Sequence, residues 1–207
     1  MKTISVILVD AGTGNLHSVY NALQKLGAQV TVTNDPVVVS QGGLIILPGV
    51  GAFGNFMQGL HQRGLTQTLS ETVQRGDPLL GICVGMQALF EIGEEMGETA
   101  GLDLLRGHVV CFPHLGGLKI PHTGWNQVQP QVNSPLLKQL SPGDYAYFNH
   151  SYYCAAKDPL DILATTEYGL PFASIVQRGN LYGVQFHPEK SQRVGLQILE
   201  NFTRLRG

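Results

Sequence analysis

Cysteine is scarce in this chain: there are three in 207 residues, Cys83, Cys111 and Cys154. They are odd in number, lie far apart and form no Cys-x-x-Cys pair, which argues against a disulfide framework and a structural zinc site. Charge is thin too, at 14% Asp, Glu, Lys and Arg with a formal net charge of -2. No block of like charges occurs, so the composition offers no footprint for nucleic acid or for an anionic membrane. No apolar run approaches the roughly 20 residues a membrane helix needs, and the opening residues are too short and wrongly flanked for a signal peptide. Internal repeats, low-complexity tracts and linkers are missing as well. What remains is an expected single domain over residues 1–207, cytoplasmic with reduced thiols, whose partners are small molecules or proteins.

With 43% hydrophobic residues the chain can bury one substantial core. Its first ninety residues alternate strand and helix. Ile4 to Val9 is a continuous apolar run, and Leu16, Val19, Tyr20, Leu23 and Leu26 keep helical spacing. Strands are expected at Gln29 to Thr33 and at Gly43 to Leu47, and a mostly helical stretch at Phe56 to Arg75. Such repeated βα units predict an α/β fold, with a mostly parallel central sheet, helices on both faces and a site beyond the carboxyl ends of the strands. Beyond residue 105 short candidate strands follow one another: Val109 to Phe112, Asn126 to Gln131, Ala146 to Tyr153, Ile162 to Thr166, Ser174 to Gln177 and Leu181 to Phe186. This half reads as a smaller antiparallel sheet. Lys119 to Asn126, with the single tryptophan, Trp125, reads as a surface loop, and Ser191 to Leu205 as a closing helix.

The chemistry centres on Gly81-Ile82-Cys83-Val84-Gly85. The apolar run from Pro78 to Ile82 reads as a buried strand, and Val84 to Glu91 as the opening of a helix. A sharp strand-to-helix turn presents the central side chain, and the flanking glycines permit the tight bend. A cysteine at a helix N-terminus is expected to titrate below its free value of roughly 8.5, and the first free helix amide, from Val84, faces the space where an oxyanion would form. The same pentapeptide also fits a buried structural cysteine. A nucleophile needs a base, and His187 is the best candidate, since it ends a strand-like run and is followed by Pro188-Glu189. Residues two apart in an extended chain face the same way, so Glu189 can orient the His187 ring while its other nitrogen takes the thiol proton. His17, His61, His108, His114 and His122 show no paired metal-ligand spacing, so no metal is expected; His150 lies at a strand edge that could border the site. The Gly12-Thr13-Gly14-Asn15 turn matches a dinucleotide fingerprint only in part, because His17 stands where the third glycine belongs, and no nucleotide or other cofactor is expected.

Three motifs, Pro48-Gly49-Val50-Gly51-Ala52-Phe53, Gly81 to Gln87, and Gly183-Val184-Gln185-Phe186-His187-Pro188-Glu189-Lys190-Ser191, in this order resemble the class I (triad) glutamine amidotransferases. Further matches at Pro121 to Asn126, Tyr147 to Tyr152 and Thr165 to Tyr168 extend the resemblance over nearly the whole chain. They narrow it to members that pass ammonia to a separate cyclase subunit, a TIM barrel, which makes imidazole glycerol phosphate and AICAR in histidine biosynthesis. The resemblance implies that Cys83 attacks the side-chain amide of L-glutamine, with His187 as base and then acid and Glu189 behind it. It implies an oxyanion hole from the backbone of Val84 and of the Val50-Gly51 loop, glutamine contacts at Gly51, Gln87, Ser151 and Tyr152, and a heterodimer interface including Thr13, Asn15, Trp125 and Lys190. Most of the family carries Pro-Gly-Gly where this chain has Pro48-Gly49-Val50-Gly51. Valine resists positive φ, so a poorly formed oxyanion hole is expected in the isolated chain. The alternatives are a glutaminase for another pathway, such as pyridoxal phosphate synthesis, and a stand-alone cysteine amidase.

Overall fold

The computed structural model describes residues 4–114 and 116–205. In chain order the elements are β1 (Ser5–Val9), α1 (Leu16–Lys25), β2 (Gln29–Thr33), α2 (Pro36–Val39), β3 (Leu44–Gly49), α3 (Phe53–Gln62), α4 (Leu65–Arg75), β4 (Leu79–Cys83) and α5 (Val84–Gln87). There follow β5 (Phe90–Gly93), β6 (Thr99–Ala100), β7 (Leu105–Cys111), β8 (His122–Pro130), β9 (Asp144–His150), β10 (Tyr152–Ala156), β11 (Ile162–Glu167), β12 (Pro171–Arg178), β13 (Leu181–Val184) and α6 (Gln192–Thr203).

The apolar runs that read as doubly covered strands lie at the centre. Ile45, Ile46, Leu47, Leu79 and Leu80 are fully buried, as expected for parallel strands covered on both faces. A nine-stranded sheet runs in the order β2-β1-β3-β4-β13-β12-β11-β8-β9. Its pairs from β2 to β13 are parallel and those from β13 to β9 antiparallel. A second sheet of four strands, β10-β7-β5-β6, lies beside it. This smaller sheet starts earlier in the chain than expected, and its central pair, β5 and β7, is parallel. The helices form two groups, α1 with α6 and α2 with α3 and α4. Among the described residues no helix is long and apolar enough to cross a membrane.

Three local readings need correction. The helix after Cys83 is a single turn, not the opening of a long one. The carbonyls of Ala88 and Leu89 that would continue it accept instead from the amides of Leu102 and Leu104, at 2.8 and 2.9 Å. Met86, Ala88, Leu89 and Phe90 are buried all round, which favours a covered strand over an amphipathic helix. The stretch from Phe56 to Arg75 begins earlier, at Phe53, and breaks at Gly64, whose φ of 68° only glycine adopts cheaply. The loop expected at Lys119 to Asn126 becomes strand at His122, because β8 pairs with β9 from His122↔His150 onward.

Candidate active site

Cys83 ends β4 in register with Gly49 of β3, at the carboxyl edge of the parallel strands. Its φ of 55° and ψ of -112° are a conformation non-glycine residues avoid, so the bend stores strain of the kind found at functional sites. Two glycines make the bend possible. A Cβ on Gly85 would lie 1.8 Å from the Leu47 carbonyl oxygen, and one on Gly81 2.5 Å from the Gly85 oxygen. The turn therefore rests directly on the backbone of β3. Because α5 has one turn, it adds little of the helix dipole on which the sequence argument relied.

His187 and Glu189 come from the continuation of β13. Its backbone is pinned on two sides: the His187 amide donates to the Tyr147 carbonyl at 2.9 Å, and the Ser191 hydroxyl donates to the His187 carbonyl at 2.7 Å. Ser191 Oγ also accepts from the Tyr147 amide at 2.9 Å. Pro188–Lys190 form one turn of 3-10 helix, so Glu189 reaches the ring by a turn rather than by the extended alternation that the spacing suggested. His187 Nδ1 lies 3.1 Å from Glu189 Oε1, with both side chains almost fully enclosed. Burial alone would lower the His187 pKa. Hydrogen bonds and charge from Cys83 and Glu189 outweigh it and raise the value to about 10. A protonated imidazole held by a carboxylate beside a cysteine is an arrangement that can support nucleophilic chemistry at sulfur.

These groups open onto a cleft of about 490 Å³. Of the residues expected there, Val50, Gly51, Cys83, Val84, Gln87, Ser151, Tyr152 and His187 line it, and so do Asn15 and Lys190 from the expected interface set. Gln87 is fixed by its Nε2, which donates to the Tyr152 carbonyl at 3.0 Å and to Gln185 Oε1 at 3.2 Å. In the Pro48 to Gly51 loop positive φ falls on Gly51, at 91°, and not on Val50. Thr13 and Trp125 stand apart from the cleft: Trp125 borders a neighbouring depression with Asp144 and Tyr145, and Thr13 Oγ1 is buried without a hydrogen bond. His150 lines the cleft, and so do Pro121 and Asn149 from the matched motifs, which were not expected as site residues, and Glu95. Glu95 had no signal in the sequence. It arrives on the β5–β6 connection and is held by the Phe53 amide, which donates to its Oε2 at 2.7 Å.

Comparison with known proteins bears on the family and the fold. A family model for class-I glutamine amidotransferases matches residues 7–205. The imidazole glycerol phosphate synthase subunit HisH of Moorella thermoacetica is 50% identical over 200 residues, covering 97% of this chain and 94% of that protein. The subunit of the same name from Salinibacter ruber is 46% identical over 96% of this chain and 93% of its own length. Among solved structures, PurLQS from Thermotoga maritima superposes with a TM-score of 0.73 at 17% identity, covering 98% of both chains. A glutamine amidotransferase superposes at 0.72 and 19% identity, covering 96% of this chain and 98% of that one. The last two show the same fold. The family match and the two relatives go further, and the chain belongs to the class-I glutamine amidotransferase family.

Proposed function

We propose that this chain is the glutaminase subunit of an imidazole glycerol phosphate synthase, hydrolysing L-glutamine to glutamate and ammonia for a cyclase partner in histidine biosynthesis. The observation that carries the reading is that Cys83 and His187, the latter backed by Glu189, line one open cleft. Cys83 Sγ attacks the side-chain carbonyl carbon of glutamine. His187 gives its proton to the departing ammonia, then takes one from the water that hydrolyses the thioester, and Glu189 keeps the ring oriented. The amide of Val84 and one amide of the Val50-Gly51 loop receive the oxyanion. Gly51, Gln87, Ser151 and Tyr152 contact the substrate. Glu95 supplies the carboxylate that the α-ammonium of glutamine calls for.

The whole of 1–207 acts as one domain in the cytoplasm, with the cyclase, a TIM barrel, docking as the second half of a heterodimer over Thr13, Asn15, Trp125 and Lys190. Trp125 is 46% exposed and meets Tyr147 edge-on at 6.1 Å; Lys190 Nζ lies 5.7 Å from the same ring. An exposed tryptophan backed by a second aromatic ring is a frequent interface anchor. Val50 without positive φ supports an oxyanion hole that the partner completes, and one missing donor costs about a hundred- to a thousand-fold in rate.

The test is ammonia and glutamate release from glutamine by the chain alone, and with a cyclase subunit and its ribonucleotide substrate. Turnover rises by about two to three orders of magnitude in the complex and vanishes in Cys83→Ala. Full activity of the isolated chain would rule out partner gating, and activity surviving in Cys83→Ala would rule out the nucleophile.

A further inference from the structure

We propose that Gln185 is a further catalytic residue: its side-chain N–H donates to Cys83 Sγ and holds the sulfur as a thiolate. The inference rests on the reading of Cys83 as nucleophile and adds a role beyond the triad.

Gln185 is fully buried, and a buried primary amide is costly unless both its ends are bonded. Its backbone is held by β12, the Gln185 amide donating to the Ser174 carbonyl at 2.9 Å. The side-chain nitrogen lies 3.8 Å from Cys83 Sγ, while Oε1 accepts from Gln87 Nε2 at 3.2 Å. The orientation of an amide is ordinarily a choice between two flips. Here a neighbour decides it. Gln87 Nε2 also faces the Tyr152 carbonyl at 3.0 Å, and a carbonyl can only accept. Gln87 must therefore point its NH2 at Tyr152 and, with the second hydrogen, at Gln185. Gln185 then has to turn its oxygen toward Gln87 and its NH2 toward the sulfur.

The Tyr152 carbonyl is itself held in place, since it accepts from His150 Nδ1 at 2.8 Å. His150 Nε2 is left to accept from His122 Nδ1 at 3.0 Å, and His122 Nε2 to accept from Asn126 Nδ2 at 3.2 Å. One consistent set of donors and acceptors thus runs from β8 to the nucleophile. Gln185 and His187 both belong to the continuation of β13, so a single segment supplies the sulfur with a neutral donor and a charged one. The requirement is real, because the one-turn α5 contributes little dipole. The same donor serves the second half of the reaction. When water has added to the thioester, the C–S bond breaks and its electron pair returns to sulfur, where the Gln185 N–H receives the charge.

The experiment is alkylation of the full chain by iodoacetamide from pH 5 to 9, followed on the Cys83 peptide by mass spectrometry, with exposed Cys111 as internal control. Gln185→Met removes both hydrogen bonds. Gln185→Glu keeps the acceptor for Gln87 and takes the donor from sulfur. In both, alkylation of Cys83 at neutral pH slows by about tenfold, as loss of a hydrogen bond to a charged group predicts, and its rise with pH moves upward while Cys111 is unchanged. In the cyclase complex of Gln185→Glu, which keeps the hold on Gln87, kcat falls by a similar factor with little change in KM. A Gln185→Glu protein with the wild-type alkylation profile and rate would overturn the proposal, leaving Gln185 as a support for Gln87. The unsubstituted chain gives an independent reading: the Gln185 side-chain NH2 signals in 1H–15N spectra shift as Cys83 ionises, and an absence of that shift also overturns it. If complete alkylation of wild-type Cys83 spares glutaminase activity, it is the nucleophile assignment that fails.

Discussion

His187 is a buried imidazole that keeps its proton. Enclosure pulls its pKa down, and contact with Cys83 and Glu189 carries it up to about 10, so the charge on the ring depends on its two neighbours. The sulfur is the neighbour that can be removed without disturbing the turn around Pro188. In Cys83→Ala the raising influence of the sulfur on His187 disappears and the burial remains. His187 then titrates well below its wild-type value in 15N NMR, by more than one pH unit. An unchanged titration would mean that Glu189 alone sets the charge. The residue also carries stability. A histidine whose folded pKa lies above its unfolded value of about 6.5 contributes fully below that pH, and the contribution is lost as pH rises toward about 10.

At the scale of the element, the strand-turn-helix around Cys83 is built by missing side chains. Gly85 lets the turn sit on β3, and the atom a Cβ would strike, the Leu47 carbonyl oxygen, is backbone inside the sheet and cannot move aside. Gly85→Ala is therefore expected to displace Cys83 and its bend as well as destabilise the chain. Overpacking of a tight core costs about 1–3 kcal/mol, and the test is a denaturant midpoint measured together with Cys83 alkylation. A similar close approach occurs at Gly195 of α6, where a Cβ would lie 1.8 Å from the Pro188 oxygen. That contact seats the turn carrying Glu189 against the final helix. A Gly85→Ala protein with wild-type stability and wild-type alkylation would show that the bend does not depend on this contact.

At the scale of the whole molecule, an aromatic cluster joins the two sheets. Phe112 and Tyr153, in and beside the smaller sheet, meet Phe172 of β12 at ring distances of 5.4 and 6.1 Å. His122 and His150 of the larger sheet lie in the same cluster, with Phe112 5.3 Å from His150. Burial lowers the pKa of His122 to about 4 and of His150 to about 3, so both are neutral in the folded protein. The unfolded chain takes up their protons near pH 6.5. Folded-state stability is complete above that value and falls as the pH drops toward 4 and 3. Between pH 7 and 5 the loss is about 2 kcal/mol per histidine, read from urea midpoints, and His150→Asn is expected to flatten the fall. An equally steep fall in that variant would place the acid sensitivity elsewhere. The cluster also explains why the segment from Lys119 misled as a loop. Pro121, Gly124 and Trp125 read as loop residues in the sequence, yet His122 between them is stacked on Phe148 and Tyr168 at 4.9 and 3.9 Å.

The sequence by itself pointed to the parallel half of the sheet, because Ile45 to Leu47 and Leu79 to Ile82 are short continuous apolar runs, as doubly covered strands are, set between turn signals in alternation with helical stretches. It also marked the elbow as a candidate, because glycines on both sides of a cysteine at a strand end permit a bend that other residues resist, and it singled out His187 and Glu189 by spacing and chain position. Tertiary structure decided what depends on partners distant in the chain. The length of the helix after Cys83 was settled by amides of residues 102 and 104 that take its carbonyls. The place of Glu95 was settled by a hairpin of short strands without a periodic signature, and the direction of the Gln185 amide by Gln87 and a carbonyl on β10. Local pattern records which face of an element is buried; it does not record which donors and acceptors meet there, and in this site those meetings set the chemistry.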